Sequence, residues 1–421
     1  MHILFLSHYY PPEVNAPASR TAETAKAWVR MGHSVTIVTA APSHPRGIVY
    51  PGYANRWCTT ELLEGVEVIR VWTYLAANEG FGKRILNFLS FPLSIFLHLR
   101  RIPRADVVVS SSPQFFAGLA GWLLKGRRRP WVFEVRDLYP ESILAVGAMK
   151  RGISIRFLEA IERAAYRSAD AIVSVTDSFV PHIRALRGRE GIAVIKNGVD
   201  LDFFDAHGAA EAEGRALRAE LGLEGKFVAA YVGTHGVAHG LDTVLEAAGL
   251  LHDQPNVAFL LVGDGSERAR LLREAGARGL TNVQIIGQRP KSDMPAIWHA
   301  TDASLVLLRR HDTFKSVLPS KMFEAMSMRC PIILGVEGEA RALLDDAGAG
   351  IAVVPEKAED LAAAVRRLAR DPTLAARLGD SGRAFVEGNF NRVRLAEQYA
   401  AFLEGVVADR LRDATPVRPR A

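Results

Sequence analysis

The chain has 421 residues, 49% hydrophobic and 23% charged, with a net charge of +6 at pH 7. That composition excludes a disordered chain, and the length is too great for one ordinary core, so two or three domains are expected. The positive balance would suit nucleic acid, a membrane surface or an anionic small molecule and does not choose among them.

The first residues, His2-Ile3-Leu4-Phe5-Leu6, lack the basic start of a signal peptide, and the apolar run stops at Ser7. They read as a first buried strand. Runs at Ser34–Thr39, Val66–Val71, Asp106–Ser110, Trp131–Val135 and Ala171–Val175 are rich in Val and Ile and apolar on both faces, as in a covered parallel sheet. Helical patterns lie between them, including Ala18–Met31, which Gly32 should stop, and Ile153–Ser168. Two loops of this half follow strands and so fall where open α/β sheets bind ligands. One runs from His8 to Arg20 and is stiffened by Pro11, Pro12 and Pro17; the other is Arg136-Asp137-Leu138-Tyr139-Pro140-Glu141-Ser142.

Ile85 to Leu99 is too short to span a bilayer, carries Pro92, and is flanked by Lys83-Arg84 and Arg100-Arg101 with Arg104. A second basic stretch, Lys125-Gly126-Arg127-Arg128-Arg129, stands beside Trp122 and Trp131. Apolar residues with flanking cations suit an interfacial helix on anionic lipid; a buried core helix with solvated ends fits the pattern equally.

The βα alternation then restarts. Strands are expected at Phe227–Val232, Val257–Val262, Val283–Ile286, Ala303–Leu308, Pro331–Leu334 and Ile351–Val354, with helices at Leu241–Leu251, Glu267–Ala275 and Lys321–Met328. The fold class is α/β, with two doubly wound, Rossmann-like parallel-sheet domains. The joint is expected at Ile195-Lys196-Asn197-Gly198-Val199-Asp200, where Asn-Gly marks a turn. Expected boundaries are 1–196, 197–385, a helix over 386–412 crossing back to the first domain, and a frayed tail over 413–421. Asp200-Leu201-Asp202 has the form of a metal-binding pair but lies in the joint, without further oxygen ligands; no metal site is expected. The two cysteines, Cys58 and Cys330, read as reduced cytosolic thiols.

Two motifs of the second half suggest anion binding. Ser320 should cap a helix beginning Lys321-Met322-Phe323-Glu324-Ala325, whose free N–H groups would face a phosphate. Lys321 opposes the helix dipole there, which makes sense beside an anion, and Glu324 shares its face. Gly233-Thr234-His235-Gly236, with His239-Gly240 after it, is a glycine turn that lets amides approach a phosphate. Gly263-Asp264-Gly265-Ser266 reads as a tight strand-to-helix turn.

Taken together, His8-Tyr9-Tyr10-Pro11-Pro12-Glu13, Arg136 to Ser142, Asn197-Gly198-Val199-Asp200 and Pro319-Ser320-Lys321-x-Phe323-Glu324-Ala325 resemble glycosyltransferase family 4, the retaining enzymes of the GT-B fold. The likeness runs over residues 2 to 405 and is strongest to bacterial transferases of surface-polysaccharide assembly, including those that move N-acetylated amino or fucose-type sugars. The resemblance implies two domains facing across a cleft. It places the nucleotide sugar, a UDP-sugar, on the second domain, with Glu324 on the ribose, Gly287-Gln288-Arg289 by the base, and Gly233, Thr234, His235, Ser320 and Lys321 at the diphosphate. It places the acceptor on the first domain, with His8, Glu13, Asn15, Arg20 and Arg136 as substrate-binding candidates and Asp137 and Glu141 as catalytic ones. Two departures stand out. Ser316 occupies the position of a second glutamate, and Thr234 and His239 occupy those of an arginine and a lysine, which leaves Lys321, Lys315, Arg289 and the helix start to meet the phosphates.

The expected activity is transfer of an amino or deoxy sugar from its nucleotide to a lipid-diphosphate-linked glycan, with no cofactor and no nucleic-acid partner. A nucleotide-sugar epimerase of the same fold and a non-catalytic sugar-binding subunit are the alternatives. The expected location is the cytoplasm, with contact at the inner face of the cytoplasmic membrane left open.

Overall fold

The computed structural model describes residues 1–13, 15–76, 81–112, 115–126, 129–145, 151–205 and 210–414. The chain divides into two units: Met1–Asn197 with Arg392–Ala421, and Gly198–Asn391.

The first unit contains β1 (His2–Leu6), α1 (Ala16–Arg30), β2 (Ser34–Ala40), β3 (Cys58–Leu63), β4 (Val66–Val71), α2 (Phe81–Leu97), β5 (Val107–Ser111), α3 (Phe115–Leu124), β6 (Trp131–Val135), α4 (Glu141–Ala145), α5 (Ile153–Ser168), β7 (Ala171–Ser174), α6 (Val180–Arg187) and β8 (Ile192–Val194). Its strands form one sheet in the order β3-β4-β2-β1-β5-β6-β7-β8. Every pairing is parallel except that of β3 with β4. The central strands are buried along their length because helices cover both faces of the sheet.

The sequence reading missed β3 and β8. β3 is an edge strand with alternating exposure, joined to β4 by Glu64 and Gly65, both with positive φ, as a tight hairpin requires. β8 has only three residues. The helix α1 starts as its sequence implies. Asn15 Oδ1 accepts from the Ala18 N–H at 2.9 Å, and Gly32 follows the last turn with φ +87°.

The second unit contains α7 (Ala210–Glu220), β9 (Phe227–Val232), α8 (Asp242–Leu250), β10 (Val257–Val262), α9 (Arg268–Ala277), β11 (Val283–Ile286), α10 (Met294–His299), β12 (Ala303–Leu307), α11 (Lys321–Ser327), β13 (Ile332–Gly335), α12 (Glu339–Ala347), β14 (Gly350–Ala352), α13 (Ala358–Arg370) and α14 (Pro372–Asn389). Its sheet is wholly parallel, in the order β11-β10-β9-β12-β13-β14. One core lies on each face, around Trp298 and Phe323 on one side and Tyr231 and Phe259 on the other.

The end of the chain holds two helices where one was expected. α14 closes at Asn389 within the second unit, and α15 (Arg392–Ala414) belongs to the first. There Tyr399 packs edge-on to Trp28, and the Trp28 indole donates to the Ala396 carbonyl at 3.0 Å. The expected frayed tail from residue 413 overlaps the end of this helix, and 415–421 lie outside the described residues. Among the described residues no helix is long and apolar enough to cross a membrane.

Candidate functional site

In the second sheet the strand order runs outward one way through β9, β10 and β11 and the other way through β12, β13 and β14. The reversal between β9 and β12 opens a crevice at their carboxyl ends, where such sheets take ligands. Gly233 follows β9 with φ +139°. A Cβ there would lie 2.9 Å from Lys321 Nζ, so the turn and the start of α11 meet. Gly263, at the end of β10, has φ +151°, and a Cβ on it would sit 1.8 Å from the Gly233 carbonyl oxygen. Only glycine lets these two turns stack, and the second one buttresses the first.

Lys321 Nζ is buried, has no hydrogen-bond partner, and lies 3.5 Å from the centre of the Tyr231 ring. Burial pushes its pKa down to about 7 against the opposing pull of Glu324, while the ring face favours the charged form. Glu324 is pushed up to about 7 by burial, opposed by the Trp298 side chain and Lys321. His235 is fully buried with neither ring nitrogen bonded; burial, then Lys321 and Arg268, hold it down to about 4 against Asp264. His239 leaves Nδ1 unbonded and is held at about 3 by burial, Lys321 and His235. Both imidazoles ring Tyr231, at 6.0 and 5.7 Å. Lys321, His235 and His239 thus surround one phenol, and a pocket of basic groups held partly or wholly uncharged is one that an anion would fill.

Other candidates of this unit stand further off. Ser320 does not cap the helix as expected: its backbone is already helical, at φ −59° and ψ −27°, and its side chain makes no cap bond. The N–H groups of Met322 and Phe323 bond instead to the carbonyls of Pro319 and Ser320. The Ser320 hydroxyl is thus left for another partner. Thr234 is exposed, and its carbonyl accepts from the Tyr231 hydroxyl at 2.9 Å. Gly287 lies at the end of β11 on the same sheet edge; Gln288 is exposed, and Arg289 sits 4.0 Å from Glu220. Lys315 pairs with Asp312 at 2.7 Å and Glu337 at 3.7 Å, so it is already neutralised. Asp200 acts as a turn residue, accepting from the N–H groups of Asp202 and Phe203.

In the first sheet the reversal lies between β1 and β5. The loops after β1 and β6 therefore share one edge. His8 is buried among the rings of Tyr9, Phe88 and Phe91 and is held at about 3, by burial first and then by His44. Glu13 Oε1 accepts from the N–H groups of Ser43 and His44 at 2.8 and 2.9 Å; burial still pushes it up to about 7. Asn15 caps α1 and keeps a buried, unbonded Nδ2.

Arg20 was a substrate-binding candidate, but its five donors are all engaged within the protein. They reach Glu134 at 3.2 and 3.4 Å, and the Ile195 carbonyl, the Lys196 carbonyl and Asn197 Oδ1 each at 2.9 Å. Arg20 is therefore a clamp on the segment that leaves this unit. Burial alone would raise Glu134, but Arg20 and Arg136, with the Ser111 hydroxyl, outweigh it and keep the carboxyl below its usual range. Arg136 Nη1 lies 3.7 Å from Glu134 and makes no hydrogen bond; burial lowers its pKa to about 10.

Asp137 is pushed up to about 6 by burial, against hydrogen bonds from Ser142 and Leu138, and Glu141 adds to the rise. Glu141 opens α4 and joins two residues the sequence reading missed. His182 Nε2 bonds Glu162 at 3.0 Å and stands 4.0 Å from Glu141. Donor atoms of Glu141, Glu162 and His182 lie within 4.8 Å of one another, a set that could hold a cation only if the His182–Glu162 bond opened. No sequence spacing reveals this trio, because α4, α5 and α6 each supply one member.

A family model described as glycosyl transferase 4-like domain matches residues 15–198, and one described as glycosyl transferases group 1 matches residues 214–385. The putative colanic acid biosynthesis glycosyl transferase WcaI of Escherichia coli K12 is 28% identical over 380 residues, 87% of this chain and 92% of the relative. Sucrose-phosphate synthase of Thermosynechococcus elongatus superposes with a TM-score of 0.75 at 19% identity, over 97% of this chain and 99% of that one. HepE of Anabaena, solved with UDP and glucose, superposes with a TM-score of 0.70 at 18% identity, over 96% and 100%. The fold is therefore GT-B.

Proposed function

We propose, since the chain belongs to the group 1 glycosyltransferases with a 4-like partner domain, that it moves a sugar from a nucleotide to a growing surface polysaccharide. The donor in this reading is a UDP-linked amino or deoxy sugar, the acceptor a lipid-linked glycan, and the anomeric configuration is retained. The observation that carries the donor half is Lys321 Nζ, buried and unpartnered beside Gly233 at the carboxyl end of β9. A diphosphate is the ligand whose charge would satisfy it. Support for uridine comes from HepE, solved with UDP and glucose, and support for polysaccharide from the name of WcaI.

In the reaction the bond from the anomeric carbon to the diphosphate breaks, a new bond forms to the acceptor hydroxyl, and the hydroxyl proton passes to the departing diphosphate. Lys321, brought in by the close approach that Gly233 allows, stabilises the negative charge of the leaving group as it develops. Glu324 accepts from the ribose hydroxyls. Asp137, and after it Glu141, is the carboxylate for the electron-poor sugar. The chain's own cations suffice for this reading, and we place the work at the inner face of the cytoplasmic membrane.

Purified protein screened against nucleotide sugars should be stabilised to heat by its donor, by mass action. With a membrane extract as acceptor source, that donor should release free nucleotide. Asp137→Asn should keep the thermal shift and lose turnover. If no nucleotide sugar stabilises the protein, the donor reading is overturned. Conversion of the donor sugar by the protein alone would make it an epimerase instead.

A further inference from the structure

The helix α2 is built inside out. Its outward face carries Leu86, Leu89, Leu93, Phe96 and Leu97, each between 42% and 60% exposed, at helical spacing. Its inward face carries Asn87, Ser90 and Ser94 beside Phe91 and Ile95. The inward polar groups are all engaged: Asn87 donates to the Tyr74 carbonyl at 2.6 Å, Ser90 accepts from the Tyr74 N–H at 2.9 Å, and Ser94 donates to the Trp72 carbonyl. These bonds fix the rotation of the helix, so the leucine face cannot turn inward. A helix that folded only to cover the sheet would place its leucines the other way round.

Its neighbour α3 repeats the arrangement. Gly118 and Gly121 lie against Phe133 and Trp131, where a Cβ would come to 2.4 and 2.1 Å, while Trp122 and Leu123 face out. Trp57, also exposed, stands 6.4 Å from His98 just beyond α2. Interspersed exposed leucines are ordinary, but a contiguous face of this kind marks an interaction site.

The charges carried along the two helices and the stretches after them have one sign, with Lys125 already paired to Asp170 at 3.1 Å. Every Asp, Glu, Lys or Arg from Phe81 to Ala105, and again from Phe115 to Phe133, is a lysine or an arginine. Arg100, Arg101 and Arg104 follow α2 and are exposed. Arg129 follows α3 and lies near enough to Arg104, after α2, for the two charges to repel. Apolar side chains between clustered cations, with aromatic residues at the edge, match a leaflet of anionic phospholipid: the acyl boundary takes the leucines and the headgroup phosphates take the arginines.

We propose that the exposed faces of α2 and α3, with Arg100, Arg101, Arg104 and Arg129, dock the first unit on an anionic membrane surface. This rests on the membrane placement in the proposed function and gives it a surface, and it does not depend on which sugar is moved. The test is flotation of the full chain with vesicles of phosphatidylcholine alone and of phosphatidylcholine mixed with phosphatidylglycerol. The protein should float with the mixed vesicles and sink with the neutral ones, and raised salt should weaken its binding. Arg100→Gln with Arg101→Gln should lower partitioning by about 30-fold. Leu93→Ser with Phe96→Ser should lower it by about tenfold without shifting the thermal midpoint, since both side chains already stand in water. Failure of the wild-type chain to float with anionic vesicles overturns the proposal. So does a dimer in lipid-free solution that the Leu93/Phe96 variant dissolves, because the face would then be a contact between copies. Both variants should keep donor-induced thermal stabilisation, so a loss of docking is read separately from a loss of donor binding.

Discussion

The two sheet edges handle buried charge in opposite ways. In the first unit Glu134 lies between Arg20 and Arg136 and is shared by both, so buried charges of opposite sign stand side by side, with one positive charge left over. In the second unit Lys321, His235 and His239 gather around Tyr231 with Arg268 close by, and only Glu324 and Asp264 oppose them. Alternating charge holds a shape. Where basic groups gather, burial and mutual repulsion keep them wholly or partly uncharged in the empty protein, and the place where an anion would let them take up protons is where the ligand's charge belongs.

The comparison can be broken most sharply at Glu134. Glu134→Gln leaves two buried guanidinium groups without a counter-charge and should destabilise the first unit by about 3 kcal/mol or more in urea titration. Donor-induced stabilisation should persist wherever the protein stays folded. Lys321→Met should do the reverse. It removes a buried unpartnered cation, so the thermal midpoint should hold or rise, while donor affinity falls by about 2–3 kcal/mol, roughly 30- to 150-fold in calorimetry. A large loss of stability in that variant would make Lys321 structural and erase the contrast.

A smaller effect is expected from pH. In the free protein Lys321 sits near 7 and His235 near 4, both below their ordinary values. A bound diphosphate raises both, so binding takes up protons and affinity grows as pH falls. Between pH 8 and pH 7 the gain for a UDP-sugar should be roughly fivefold, with roughly one proton taken up at pH 8 by calorimetry in buffers of different ionisation heat. Proton release, or affinity that rises with pH, would mean that the basic groups do not face the ligand. The smallest effect belongs to Ser320→Ala. Since the hydroxyl caps nothing, stability should change by less than about 0.5 kcal/mol, where a working N-cap is worth about 1. A larger loss would restore its capping role.

The strands that carry both edges were legible because a covered parallel sheet demands unbroken apolar runs, and these are plain at Val107–Val109 and Val257–Val262. The edge strand β3 escaped because its outer face is wet and its sequence, Cys58-Thr59-Thr60-Glu61-Leu62-Leu63, offers neither an unbroken apolar run nor a regular alternation. The loops after β1, β6 and β9 were placed from strand order alone. What sequence could not supply was partnership across distance. Arg20 finds the Ile195 to Asn197 segment, Lys321 finds Tyr231, and His182 finds Glu162 only after the sheets have formed. The orientation of α2 was likewise open, because leucines and serines alternate around it and either face could have turned inward; the bonds to Trp72 and Tyr74 decide it.

The helix α15 has a consequence for how the molecule can be taken apart. Its Tyr399 and Leu403 fill the same core as Trp28, and its first residue, Arg392, pairs with Glu23 of α1. Arg20, on that same helix, grips the other end of the excursion at Asn197. Gly198–Asn391 is thus one uninterrupted stretch inserted between two parts of its host, both moored to α1. A gene fragment for the inserted unit can be cut out whole. The host can be expressed alone only if residue 197 is spliced to residue 392; stopping at 197 would strip a helix from its core and bare the indole of Trp28 to water.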